Sequence, residues 1–188
     1  MHTTSISLLE RLRRLEERSA WERFVELYTP LLYFWTCRLG MTEADAADLV
    51  QEVFAVLVEK LPAFQYDAGR SFRAWLRTIT YNKWRDFQRR RAADPTRGGS
   101  EVLADVPASN SLDNFWDQEY RQHLVGRALE LMKSEFQPST WKACWECVVS
   151  DRPAAEVAAE LGLSVEAVYA AKSRVLRRLR QELSGLLG

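Results

Sequence analysis

The sequence predicts an all-α protein of two small helical domains joined by a flexible acidic linker, the C-terminal domain containing a helix-turn-helix. Three observations carry that expectation. Apolar residues recur at helical spacing from Leu8 to Leu39, from Leu49 to Leu61, and again from about Phe115 towards the C-terminus. Sustained period-2 alternation and Asn-Gly or Asp-Gly hairpin turns are absent. Between Ala92 and Asn114 the pattern gives way to Pro95, Gly98, Gly99, Ser100, Pro107, Ser109 and Ser111. Apolar residues make up 47% of the 188 and aromatics 11%, too much for a disordered chain and enough for two modest cores. The domains are placed at 1–91 and 115–188, with the linker at 92–114.

Taken in order, the first helical stretch offers Ser19 and Pro30 as possible breaks. A helix should start at Thr42–Asp45, where Thr42 caps the free amides and Asp45 reciprocates in the manner of a capping box. Leu49, Val50, Val53, Phe54, Leu57 and Leu61 then form its buried stripe, and Pro62 ends it. The loop PAFQYDAGRS follows, and a helix restarts near Phe72. Later helices break at Gln137-Pro138-Ser139.

The formal net charge is zero, but the charges are segregated. From Arg70 to Arg91 there are eight Lys or Arg against Asp86, and from Lys172 to Arg180 five against none. From Ala92 to Glu119 six acids face Arg97 alone. Two separated basic patches joined by an acidic connector are the charge plan of this chain. No apolar run approaches the length that spans a bilayer, and no secretory signal is visible, so a cytoplasmic protein is expected. Cys144 and Cys147 form C-x-x-C, but the only histidines are His2 and His123 and no second pair completes a zinc site. On a helix the two simply share a face, so packed, reduced thiols are expected, with neither metal nor cofactor.

Residues 153–172, PAAEVAAELGLSVEAVYAAK, fit a helix-turn-helix at several positions together. Val157, Leu161, Leu163, Val168 and Ala171 fill the apolar slots, and Ala158 is small where the helices approach. Gly162 stands where the turn needs a positive φ, and Ser164 can cap the second helix. That helix continues into KSRVLRRLR, with Val168, Val175 and Leu179 inward and Arg174, Arg177 and Arg178 outward. A major groove admits such a helix while its cations meet the phosphates.

The stretch AWLRTITYNKWRDFQRRR interleaves rings with cations. On a helical wheel Phe72, Trp75, Leu76, Ile79 and Phe87 form a core arc. Arg73, Arg77, Thr80, Tyr81, Trp84, Gln88 and Arg91 fall elsewhere. Rings beside cations are the makings of a stacking platform for unpaired bases, so Tyr81 and Trp84 are expected on a nucleic-acid face, the competing reading being that one of them packs under the N-terminal helix.

Three blocks, DAADLVQEVFAVLVEKLPAF, SFRAWLRTITYNKWRDFQRRR and the helix-turn-helix ending in KSRVLRRLRQEL, together resemble an extracytoplasmic-function (ECF) sigma factor of bacterial RNA polymerase. The resemblance covers nearly the whole chain in the family's order, and SLLERLR with YDAGRSFRAWLRTI is similar to planctomycete-like members. It implies the following roles. Asp48, Gln51 and Glu52 would dock on the clamp helices of the polymerase's largest catalytic subunit. Gln65, Asp67, Arg70 and Ser71, with Arg73, Arg77, Tyr81, Asn82, Trp84 and Arg85 behind them, would capture and hold the opened −10 element. Ser164, Glu166, Ala167, Tyr169, Ala170, Ser173, Arg174 and Arg177 would read the −35 element. Core polymerase, its flap included, promoter DNA and an anti-sigma factor are the implied partners. The chain departs from many relatives in AVYAAKSR, which sets Lys172 further along, and no sensor domain is expected after Gly188.

Two other classes compete. A dimeric helix-turn-helix regulator would leave the D-x-x-Q-E helix and the aromatic basic helix without a role. A nuclease would need a catalytic constellation, and Asp45, Asp48 and Glu52 lack a histidine at helix spacing to make one. No enzymatic activity is expected.

Overall fold

The computed structural model describes residues 8–13, 17–64, 71–93 and 110–187, with side chains in the last stretch from Gln118 onward. Helices are α1 (Leu8–Leu12), α2 (Arg18–Arg38), α3 (Glu43–Lys60), α4 (Phe72–Ala92), α5 (Asn110–Met132), α6 (Pro138–Val148), α7 (Ala154–Leu161) and α8 (Val165–Glu182). Short 3-10 turns follow α3 and α5 at Leu61–Ala63 and Lys133–Glu135. Among the described residues there is no strand, and the fold is all-α. Most of the expected linker, residues 94–109, lies outside the described residues.

Local signals account for the helix ends. Thr42 Oγ accepts the Asp45 amide at 3.3 Å. The Asp45 carboxylate meets the Thr42 hydroxyl at 2.8 Å, so the pair closes through side chains rather than as the expected capping box. Aspartate is one methylene shorter than the glutamate that reaches back to the cap amide. Ser71 and Ser164 cap α4 and α8 in the same way, accepting from Ala74 and Ala167 at 3.2 and 3.1 Å. Neither Ser19 nor Pro30 breaks α2. Pro30 forfeits one backbone bond at a cost of about 3 kcal/mol. Burial of Leu27, Tyr28, Leu31 and Leu32 around it, at about 1.5–3 kcal/mol each, outweighs that loss.

The chain forms two compact units. One contains the described residues up to Leu124 with Gly185–Leu187, the other Val125–Ser184. The first is organised by rings: Phe24 and Tyr28 of α2 meet Phe72 of α4 at 6.0 and 5.8 Å. Trp35 stacks on Tyr120 at 6.0 Å. The division thus falls ten residues beyond the expected 114/115 boundary, because Tyr120 is part of the first unit's core. The second unit closes around Ala143, Val157, Ala158, Val168 and Ala171, with Leu161 and Leu163 partly buried against them.

Tyr120 gives its one hydroxyl proton to the Leu186 carbonyl at 2.8 Å, so Tyr28 must donate to Tyr120 across their 2.7 Å contact. Burial raises the pKa of both phenols, which stay neutral. Tyr120→Phe strands a buried donor and a buried acceptor. We expect a loss of about 1–3 kcal/mol, read as a lower urea midpoint at unchanged m-value; an unchanged midpoint would show that the two groups find other partners.

Candidate polymerase and nucleic-acid interface

The contact face of α4 decides which of its side chains can meet a ligand. Phe72, Leu76, Thr80 and Trp84 are all buried, a ridge at four-residue spacing. Such ridges turn steadily around a helix, so the buried stripe drifts away from the sector that a wheel assigns to the core. Two expectations are corrected as a result. Trp84 is only 7% exposed and packs among Leu39, Met41, Ala46 and Leu49, so its ring is core and not a stacking platform. Thr80 is buried too, its hydroxyl bonded back to the Leu76 carbonyl at 2.9 Å.

Tyr81 stays on the surface at 38% exposure, its ring 5.4 Å from that of Trp84, which supports it from beneath. Asn82 and Arg85 are exposed and Arg77 is partly exposed. Arg73 lies 5.9 Å above the Tyr120 ring, a cation–π contact that turns it towards the core of its own unit. Ser71 is occupied as the α4 cap. Gln65, Asp67 and Arg70 lie outside the described residues.

On α3, Asp48 and Gln51 are exposed, opposite the buried Leu49, Val50, Val53 and Leu57. Glu52 is different. Its carboxylate accepts from Arg90 at 2.9 Å and from Lys83 at 3.4 Å, tying α3 to α4. Asp45 and Arg91 add a 3.6 Å pair between the same helices. Burial alone would raise the Glu52 pKa, but the hydrogen bonds and charges of Arg90 and Lys83 together outweigh it and lower the net value.

In the second unit Gly162 adopts φ +64°, the left-handed conformation the turn between α7 and α8 requires. Burial of Val168, Ala171 and Val175 turns Glu166, Ala167, Tyr169, Ala170, Ser173, Arg174 and Arg177 of α8 outward, and the capping Ser164 is exposed as well. Tyr169 is 57% exposed. Arg178, expected on the open face, instead bridges Glu135 at 2.9 Å and Glu182 at 2.6 Å. Lys142 and Arg152 converge on Glu160 and hold its carboxyl down at about 2, joining α6 to α7.

Cys144 is buried and Cys147 partly so, both free thiols in the packed face of α6. Burial pushes the Cys144 thiol up. The other side of α6 was missed. Trp141 and Trp145 stack at 6.1 Å and, with Leu129 and Phe136, line an open groove of about 970 Å³. Its signal in the sequence is a second apolar stripe, Trp141, Trp145 and Val148, at helical spacing on the same helix as the cysteines.

Comparison with known proteins gives this geometry its context. Residues 24–93, from α2 through α4, match the family described as Sigma-70 region 2. RNA polymerase sigma factor CnrH of Cupriavidus metallidurans is 33% identical over 153 residues, 79% of this chain and 76% of its own length. The chain belongs to the RNA polymerase sigma factors of the ECF type. ECF RNA polymerase sigma factor SigE of Mycolicibacterium smegmatis is 27% identical over 165 residues, 88% of this sigma factor and 62% of its own length. Among the described residues of the sigma factor, no helix is long and apolar enough to cross a membrane.

Two rings one turn apart in this sigma factor should respond oppositely. Trp84→Ala opens a cavity among Leu39, Met41, Ala46 and Leu49 and should cost about 3–5 kcal/mol in chemical denaturation. Tyr81→Ala should stay within about 0.5 kcal/mol of the wild type; equal losses would place both rings in the core.

The Glu52 tether should also be legible in pH. A carboxyl whose folded pKa is lowered adds stability above its unfolded value, near 4.5, and loses it as pH falls through the folded one. Since the pair is partly solvated, the gain at pH 7 is held to about 0.2–1 kcal/mol. The urea midpoints of wild type and Glu52→Gln should therefore differ at pH 7 and converge below about pH 4; a gap independent of pH would remove the ion pair as its cause.

Proposed function

We propose that this sigma factor joins core RNA polymerase through the outer face of α3 and directs it to promoters through two DNA surfaces, without catalysing a reaction of its own. The unit containing α2–α4 takes the part of the −10-recognising and DNA-opening domain. The unit containing α7 and α8 takes that of the −35-recognising domain. The observation that carries the reading is the arrangement of α3 and α4. Asp48 and Gln51 are held outward by the buried Leu49–Leu57 stripe, and α4 beside them presents Tyr81, Asn82 and Arg85 to solvent, with Arg77 partly exposed. An acidic, polar docking face suits a basic partner surface. A ring among cations suits unpaired bases, each stacked base contributing about 1–3 kcal/mol.

Ser71 supports this surface by fixing the start of α4, and Arg73 by anchoring the helix on Tyr120. Gln65, Asp67 and Arg70 are assigned to the loop that takes a flipped −10 base. On α8, the exposed residues from Glu166 to Arg177 are assigned to the major groove of the −35 element, with Ser164 as their cap. Glu52 is assigned to polymerase docking through the orientation that Lys83 and Arg90 give it. An anti-sigma protein is proposed as the regulatory partner, and the cytoplasm as the site of action.

Run-off transcription from genomic fragments with purified core polymerase tests the reading. Added protein should produce transcripts with defined starts. Asp48→Lys should weaken association with core by about tenfold or more, through like-charge contact, while helical content stays unchanged. Wild-type core affinity in that variant would remove α3 from the docking surface.

A further inference from the structure

The outer face of α8 is cationic except near its tip. At about 100° per residue, Glu166, Ala170, Ser173 and Arg177 align opposite the buried Val168, Ala171 and Val175. Glu166 opens that line and is its one acid. Glu166 is exposed in the first turn of α8, and hydrogen bonding from its own backbone N–H and from Ser164 lowers its carboxyl pKa, which favours the anion. Glu182, the other acid of the helix, is buried against Arg178.

We propose that Glu166 is a specificity-determining residue of promoter recognition, accepting a hydrogen bond from the N4 amino group of a cytosine in the upstream element. The inference rests on the assignment of α8 to the major groove and deepens it. A carboxylate facing DNA without a donor is repelled by the phosphates and weakens every sequence alike. A base that offers an exocyclic amino group in the major groove turns that repulsion into discrimination. Guanine and thymine present oxygen acceptors there and are rejected. Adenine presents an amino group, but its N7 acceptor lies beside it and opposes a carboxylate. Cytosine presents the amino donor alone. Ala167 and Ala170 flank Glu166 with the smallest side chains available, so the first turns of α8 can approach the base edges closely.

An acid in the first turn also steadies a helix N-terminus by its charge alone. That role predicts no dependence on DNA sequence, which separates the two. The experiment forms holoenzyme from core polymerase and the full-length chain and selects bound duplexes from a library randomised across the upstream element. Wild type, Glu166→Gln and Glu166→Ala are compared, with thermal melting as the check that α8 is intact. In the wild type, one position should prefer cytosine by about fivefold or more. Glu166→Gln should convert that preference to adenine, because a glutamine amide pairs with N6 and N7 together. Glu166→Ala should lose it, with the remaining positions unchanged in both variants. A cytosine preference that survives both substitutions, or a uniform gain in affinity for all sequences, would overturn the inference while leaving α8 in the groove. A wild-type profile with no upstream preference would overturn the −35 assignment itself, and this inference with it.

Discussion

The ridge Phe72, Leu76, Thr80 and Trp84 of α4, buried from the first turn to beyond the middle of the helix, sets the orientation of the side chains around it. At its start Phe72 meets the rings of Phe24 and Tyr28, and near its end Trp84 sits among Leu39, Met41, Ala46 and Leu49. Because those contacts are spread along the helix, α4 can neither rotate nor slide without opening a cavity. The outward positions of Tyr81, Asn82 and Arg85 follow from that constraint, as does the approach of Lys83 and Arg90 to Glu52. The surface proposed to hold opened DNA is, in this sense, the reverse side of a packing solution.

The zero net charge conceals a division of labour among cations. Lys83, Arg90 and Arg91 face Glu52 and Asp45 across α3 and α4, Arg89 pairs with Asp86 one turn away, and Arg178 is shared by Glu135 and Glu182. The exposed pairs among these add little to stability. Their consequence lies in position: they hold the polar edge of α3 beside α4, while Arg85, Arg174 and Arg177 project from the two surfaces proposed to face DNA. In the second unit the left-handed Gly162 and the Ser164 cap play the corresponding part, starting α8 at a fixed point so that its exposed line begins with Glu166.

Much of the fold was legible in the residues because the signals are local. Thr42, Ser71 and Ser164 cap helices through bonds to residues three positions on, and Gly162 is needed where only a positive φ continues the chain. The stripe from Leu49 to Leu61 repeats at the period of the helix that carries it, and only Phe54 in it remains partly exposed. The outward line of α8 was legible for the same reason, since Val168, Ala171 and Val175 mark its buried side. Local chemistry of this kind needs no knowledge of what the helix packs against.

What the sequence determined by itself was therefore the all-α class, most of the helices, the caps at Thr42 and Ser164 and the two basic regions. The tertiary structure decided which of those residues are available. Trp84 is core because Leu39, Met41, Ala46 and Leu49 of other elements lie under that side of α4. Glu52 is tethered because Lys83 and Arg90, thirty or so positions away, arrive beside it. Tyr120 belongs to the first unit because Tyr28 and Leu186 close on its hydroxyl, and Arg178 faces Glu135 for a like reason. A helical period reports one helix's own faces; partners distant in the chain meet a residue only where helices cross, and the crossing is fixed by packing.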